Sequence, residues 1–110
     1  MSEEEMQRLI VQCKAAYEEE KNDAFLSNVR YAELEELQNL SLRLHETEPA
    51  VLLRCLREEQ PALEAQLKEE EDHPTFNWYD EYHHAKRLAG VLAARRSVMK
   101  LLEAHKDGSE

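Results

Sequence analysis

Apolar residues return at three- and four-residue steps along nearly the whole of this 110-residue chain, and only two glycines and three prolines interrupt them. That spacing lines apolar side chains along one stripe of a helix. So few breakers leave too few turns for a β fold. With 35% charged and 42% hydrophobic residues, the composition fits helices with a wet face and a dry one. The sequence therefore predicts an all-α protein, an up-and-down bundle of four to five helices with a long C-terminal helix. A chain of this length forms one domain, residues 1–110, and buries roughly two-thirds of its unfolded surface.

The helices can be placed from their punctuation. Ser2 and Glu5 form a capping box, and Met6, Leu9, Ile10, Cys13 and Tyr17 continue from it as a helix over about 3–20. Residues 21–30 hold the turn formers Asn22, Asp23, Ser27 and Asn28 beside Phe25, Leu26 and Val29. They read as a connector that tucks its apolar residues under the bundle. A second helix follows over about 31–46, with Leu34, Leu37, Leu40 and Leu44 on one face.

Pro49 suits the first position of a third helix, which carries Leu52, Leu56, Leu63 and Leu67. In that helix Glu59 occupies a seam position, and Pro61 follows two residues later. Proline removes a hydrogen bond and clashes with the carbonyl four residues back, so a break or strong kink is expected there. The last helix runs over about 78–106. Its seam is His84, Leu88, Val91, Arg95, Val98 and Leu102, with Ala85, Leu92 and Met99 in a parallel row. At ~1.5 Å per residue it spans about 40 Å. Gly90 costs ~1 kcal/mol against alanine in a helix interior, and close approach of another helix would account for it.

Charge divides the chain unequally. Residues 1–75 hold 8 Lys and Arg against 19 Asp and Glu, whereas residues 76–110 hold 6 against 5. The total of −10 repels nucleic acid and anionic membranes, and it suits a partner with a basic surface. Arg95 on an apolar seam needs a carboxylate, so Arg87, Arg95 and Arg96 are expected to dock the last helix onto glutamates of the others. Cys13 and Cys55 each lie among apolar residues and are expected to be reduced thiols. The opening MSEEEM lacks a basic signal region and no apolar run reaches the ~20 residues that span a bilayer, which points to a cytoplasmic setting.

Four of the seven aromatic residues fall between Phe76 and Tyr82, at the charge boundary. Trp78 and Tyr82 are four apart and share a helix face, and Tyr79 points about 100° away. One reading is that Phe76, Trp78 and Tyr82 seal the end of the core with Tyr79 peripheral; the other is that, since Trp and Tyr dominate binding energies at interfaces, Trp78, Tyr79 and Tyr82 are the candidate partner-binding residues. Glu81 and His84 form Glu-x-x-His, which resembles the half-motif of di-iron carboxylate bundles. No second copy follows, so a site would need a twin chain.

No phosphate loop, nucleophile elbow, Cys-x-x-Cys or His-Glu-x-x-His is present in the sequence. The expectation is therefore a non-enzymatic, cofactor-free acidic helical protein that binds another protein. It would act as an adaptor, regulator or inhibitor of bacterial or phage scale, and a homodimer is possible. Two alternatives differ in kind. Carboxylates along residues 33–72 could mimic a phosphate backbone and occupy a nucleic-acid-binding protein. Glu81 and His84 could instead hold a metal.

Overall fold

The structure, a computed structural model, describes residues 3–72 and 78–108, apart from the side chains of residues 24, 25, 78–84 and 105–108. It holds four helices: α1 (Glu3–Glu20), α2 (Ala24–Glu46), α3 (Pro49–Asp72) and α4 (Trp78–Gly108). Among the described residues there is no strand. At 31 residues α4 is the longest.

Three glutamates fill the first turn of α1, where they complement the positive end of the helix dipole. Met6 and Cys13 are buried beneath it, with Leu9 and Ile10 packed against the same core. Ser2, the other half of the expected capping box, lies outside the described residues.

The connector expected over 21–30 is much shorter. The Asp23 N–H donates to the Glu20 carbonyl at 2.9 Å, and α2 starts at the next residue. Asp23 is the cap: its Oδ1 accepts the Leu26 N–H at 3.0 Å, and its carbonyl accepts the Ser27 N–H at 2.9 Å. One turn former therefore suffices, and Ser27 and Asn28 continue as helix. Leu26 is 49% exposed rather than tucked under the bundle.

The break expected as one outcome at Pro61 does not occur: α3 is one continuous helix, Pro49–Asp72, with Pro61 inside it. Pro61 and Arg57, four residues apart, are both exposed, so the carbonyl that loses its donor lies on the solvent side. The start of α3 is as expected. The Glu48 carbonyl accepts the Leu52 N–H at 3.0 Å, and Pro49 takes the first helical position.

The helices pack in the order α1–α2–α4–α3. The α2–α4 contact is the most extensive, α1 lies along α2, α3 lies along α4, and α2 and α3 barely touch. Side-chain pairs give the directions. Glu3 meets His45 and Glu20 meets Arg30, so α1 is antiparallel to α2. Arg57 meets Glu103 and Glu64 meets Arg96, so α3 is antiparallel to α4. Ala32 faces Gly90 and Glu36 meets Arg95, so α2 and α4 run side by side in one direction.

Placement between two helices explains why α4 lacks a narrow apolar stripe. At 100° per residue, its buried positions Gly90, Ala94, Val98, Leu102, Leu88 and Leu92 span an arc of roughly 200°. Gly90 and Ala94 hold the side toward α2. Arg96 and Glu103 mark the side toward α3, where both find partners. Between these sides lies the core of Met6, Cys13, Leu37, Leu40, Leu52, Leu53, Leu56, Ala94, Val98 and Leu102.

At the crossing, the backbones themselves touch. A Cβ on Gly90 would overlap the Val29 carbonyl oxygen and lie 2.9 Å from the Glu33 nitrogen and 3.0 Å from the Ala32 Cβ. Two of these three neighbours are backbone atoms, which move only if α2 moves. Gly90→Ala raises helix propensity by ~1 kcal/mol, yet overpacking here should outweigh it. We expect a net loss of about 2 kcal/mol in urea denaturation; a variant more stable than wild type would refute the close crossing.

Candidate interaction surface

Much of the acidity is engaged within the chain. Arg95 rises from the α4 seam into a nearly closed space and is 12% exposed. Its Nε donates to Glu36 of α2 at 3.0 Å and its Nη1 to Glu59 of α3 at 2.7 Å. Burial alone would weaken the hold of Arg95 on its proton, but the bonds to Glu59 and Glu36 more than offset it, so the guanidinium stays charged. Glu59 also lies 4.0 Å from Arg43 of α2. One guanidinium thus ties three helices together, and the two polar residues on apolar seams, Glu59 and Arg95, are partners.

Other pairs clasp the edges. Arg96 meets Glu64 at 3.2 Å, and Arg57 meets Glu103 at 2.9 Å. The Glu64 carboxyl is held below its usual range by the Gln60 amide and then by Arg96. These pairs are about half exposed, and solvent screening leaves such pairs a small contribution. Arg30 joins α2 to α1 through Glu20 at 2.9 Å and also pairs with Glu33 of its own helix at 3.0 Å. Beside it the buried Cys13 Sγ donates to the Arg30 carbonyl at 3.6 Å. Burial, and then the Glu33 carboxylate, push this thiol up to about 11, so it stays protonated and is a poor nucleophile at neutral pH. Cys55 is free as well, and half-buried.

Further acidity gathers elsewhere. The last turn of α3 holds Glu69, Glu70, Glu71 and Asp72 and no basic residue. Glu69, Glu71 and Asp72 are exposed. These carboxylates stand at the negative end of a helix dipole, where they repel both the dipole and one another. A neighbouring positive charge would relieve that repulsion.

The site residues singled out by sequence lie beyond description at the level of side chains. Trp78, Tyr79, Tyr82, Glu81 and His84 belong to the first two turns of α4, and their side chains fall outside the described residues. Their helical placement is as expected. Among the described residues, no group of three or more His, Cys, Asp and Glu side chains is arranged to hold a metal. No described helix is long and apolar enough to cross a membrane.

A second surface was not anticipated. An open groove of about 290 Å³ runs between α2 and α4, lined by Tyr31, Ala32, Glu35, Glu36, Asn39, Arg87 and Val91. Tyr31 is 55% exposed there, and its ring tilts against Tyr17 of α1 at a centroid distance of 5.9 Å. Arg95 and Arg96 dock α4 as expected, but Arg87 pairs with no carboxylate among the described residues. No family model matches the chain, and no curated protein or solved structure matches it either.

Removing Arg95 leaves Glu36, itself 13% exposed, as an unpaired buried charge. Arg95→Met should therefore cost about 3 kcal/mol, and adding Glu36→Gln should return at least ~1 kcal/mol of it. Strict additivity in urea denaturation would mean the two do not interact. Cys13 supplies a pH signature. Its folded pKa of about 11 exceeds the unfolded value of 9.0, so its contribution is intact below pH 9 and is lost as pH rises toward 11. Wild type should lose stability more steeply than Cys13→Ala over that window; parallel profiles would contradict the burial of the thiol.

Proposed function

We propose that this is a non-catalytic acidic helical protein that binds another protein, one with a basic surface, as an adaptor, regulator or inhibitor. The observation that carries the reading is the end of α3. Four carboxylates occupy its last turn against the helix dipole, and Glu69, Glu71 and Asp72 among them are exposed. An arrangement that disfavours the free protein gains most from a cationic partner. Trp78, Tyr79 and Tyr82 open the next helix, after a five-residue connection, and aromatic side chains suit lysine- and arginine-bearing surfaces. In this reading the aromatic residues supply the apolar anchor and the carboxylates steer the encounter.

The phosphate-mimic alternative draws less support. Of the carboxylates along residues 33–72, Glu33, Glu36, Glu59 and Glu64 each pair with an arginine of this chain.

The test is affinity capture from the source cell with the full chain, followed by titration of the captured partner. The partner's binding face should be basic, and Glu69→Lys with Glu71→Lys should weaken binding at least tenfold. Trp78→Ala should do the same at any salt, whereas the wild-type affinity should fall between 50 and 500 mM NaCl. A partner that binds both variants with unchanged affinity would sink the proposal.

A further inference from the structure

The α2–α4 groove differs from the end of α3 in one respect: its charges are balanced but not joined. Glu35 stands on the α2 wall, exposed and without a basic partner among the described residues. Arg87 stands on the α4 wall in the matching condition. Beneath them the remaining charge is already neutralised, because Glu36 is bound by Arg95. Between them lie Tyr31, 55% exposed, and Val91, half-buried.

Register gives this arrangement a symmetry. The two walls run in the same direction, with Ala32 against Gly90. Arg87 is one turn before Val91, and Glu35 is one turn after Tyr31. The two charges therefore sit diagonally, on opposite walls and on opposite sides of the Tyr31–Val91 centre. A two-fold rotation about a diagonal axis through that centre carries the position of Glu35 onto that of Arg87, and the reverse. A surface built this way is complementary to itself, which a closed two-fold dimer requires.

We propose that the α2–α4 groove is the contact face of a homodimer, in which Glu35 of each copy pairs with Arg87 of the other across a centre of Tyr31 and Val91. Charge favours a second copy over an unrelated partner. Two chains of −10 repel each other, and they can approach only where charge is locally neutral. A basic partner would meet Arg87, and an acidic one would meet Glu35; a second copy matches both. Contact also removes the exposed Tyr31 ring from water, and tyrosine is prominent among residues that dominate interface energies. This inference rests on the α2–α4 groove and not on the end of α3, and its test reads self-association rather than capture of another protein, so the two can fail separately.

Sedimentation equilibrium of the full chain at 5–500 µM in 150 mM NaCl tests it. Wild type should be dimeric in the upper part of that range. Glu35→Arg and Arg87→Glu should each weaken the dimer at least tenfold, because each sets like charges together twice. Mixing the two variants in equal amounts should give a heterodimer, and combining both changes in one chain should restore a homodimer. Circular dichroism checks that each variant is folded, and Glu35→Gln, expected to weaken the dimer less than Glu35→Arg, is the milder substitute if a reversal disturbs the helix. A wild type monomeric throughout, a dimer indifferent to either reversal, or a mixture that fails to recover would each overturn the proposal.

Discussion

The absence of a side chain at residue 90 sets the distance between α2 and α4, and the other packing follows from that distance. Backbone lies against backbone there, with the Val29 carbonyl and the Glu33 nitrogen where a Cβ would project. Helices usually pack 8–10 Å apart, according to the side chains between them, and glycine facing alanine allows the short end of that range. Once α4 is held this close, its opposite side must be covered too, and α3 covers it. The long last helix is then buried on two sides and cannot carry a narrow apolar stripe. Its glycine lowers helix propensity locally, and the contact that it permits is the widest in the molecule.

Within this frame, Arg95 decides how α3 is seated. An apolar residue would fill the same seam without fixing a register, whereas a guanidinium held by Glu36 and Glu59 fits only one alignment of three helices. Replacing buried ion pairs by apolar residues is often neutral or stabilising, so stability alone is a weak reason for Arg95. Register is a better one. α3 barely touches α2, and apart from the core, the ion pairs are what fix its position along α4. Glu59, which looked like an error in the α3 seam, is the partner of the arginine that looked like an error in the α4 seam.

Much of this was legible in the sequence. The class, three of the four helix starts and the burial of Leu37, Leu40, Leu52, Leu56 and Leu88 follow from period and punctuation. The need of Arg95 for a carboxylate was legible; which carboxylates answer it was not, since that depends on packing order. The two misreadings share a cause. Asn22, Asp23, Ser27, Asn28 and Pro61 were weighed by residue type, while their effect depends on position. Asp23 caps a helix that Ser27 and Asn28 then continue, and Pro61 lies on the wet side, where a lost hydrogen bond is tolerated. The α2–α4 groove had no local signal at all. Tyr31 and Arg87 are 56 residues apart and meet only because the two helices run side by side.

The unequal charge of the two parts of the chain now has a structural meaning. Arginines of α4 reach across to α2 and α3 and neutralise the glutamates that face them, so the interior of the bundle is balanced although the whole is strongly acidic. The excess lies at other positions, and the end of α3 holds a concentrated share. A small protein arranged this way has two surfaces of different character. One is a locally neutral groove between its two central helices, the region where a like-charged copy is least repelled. The other is an acidic helix end that repels a like-charged copy and attracts a cationic surface. The same electrostatics that keep copies apart at the acidic end would leave it free for another partner while the groove is occupied.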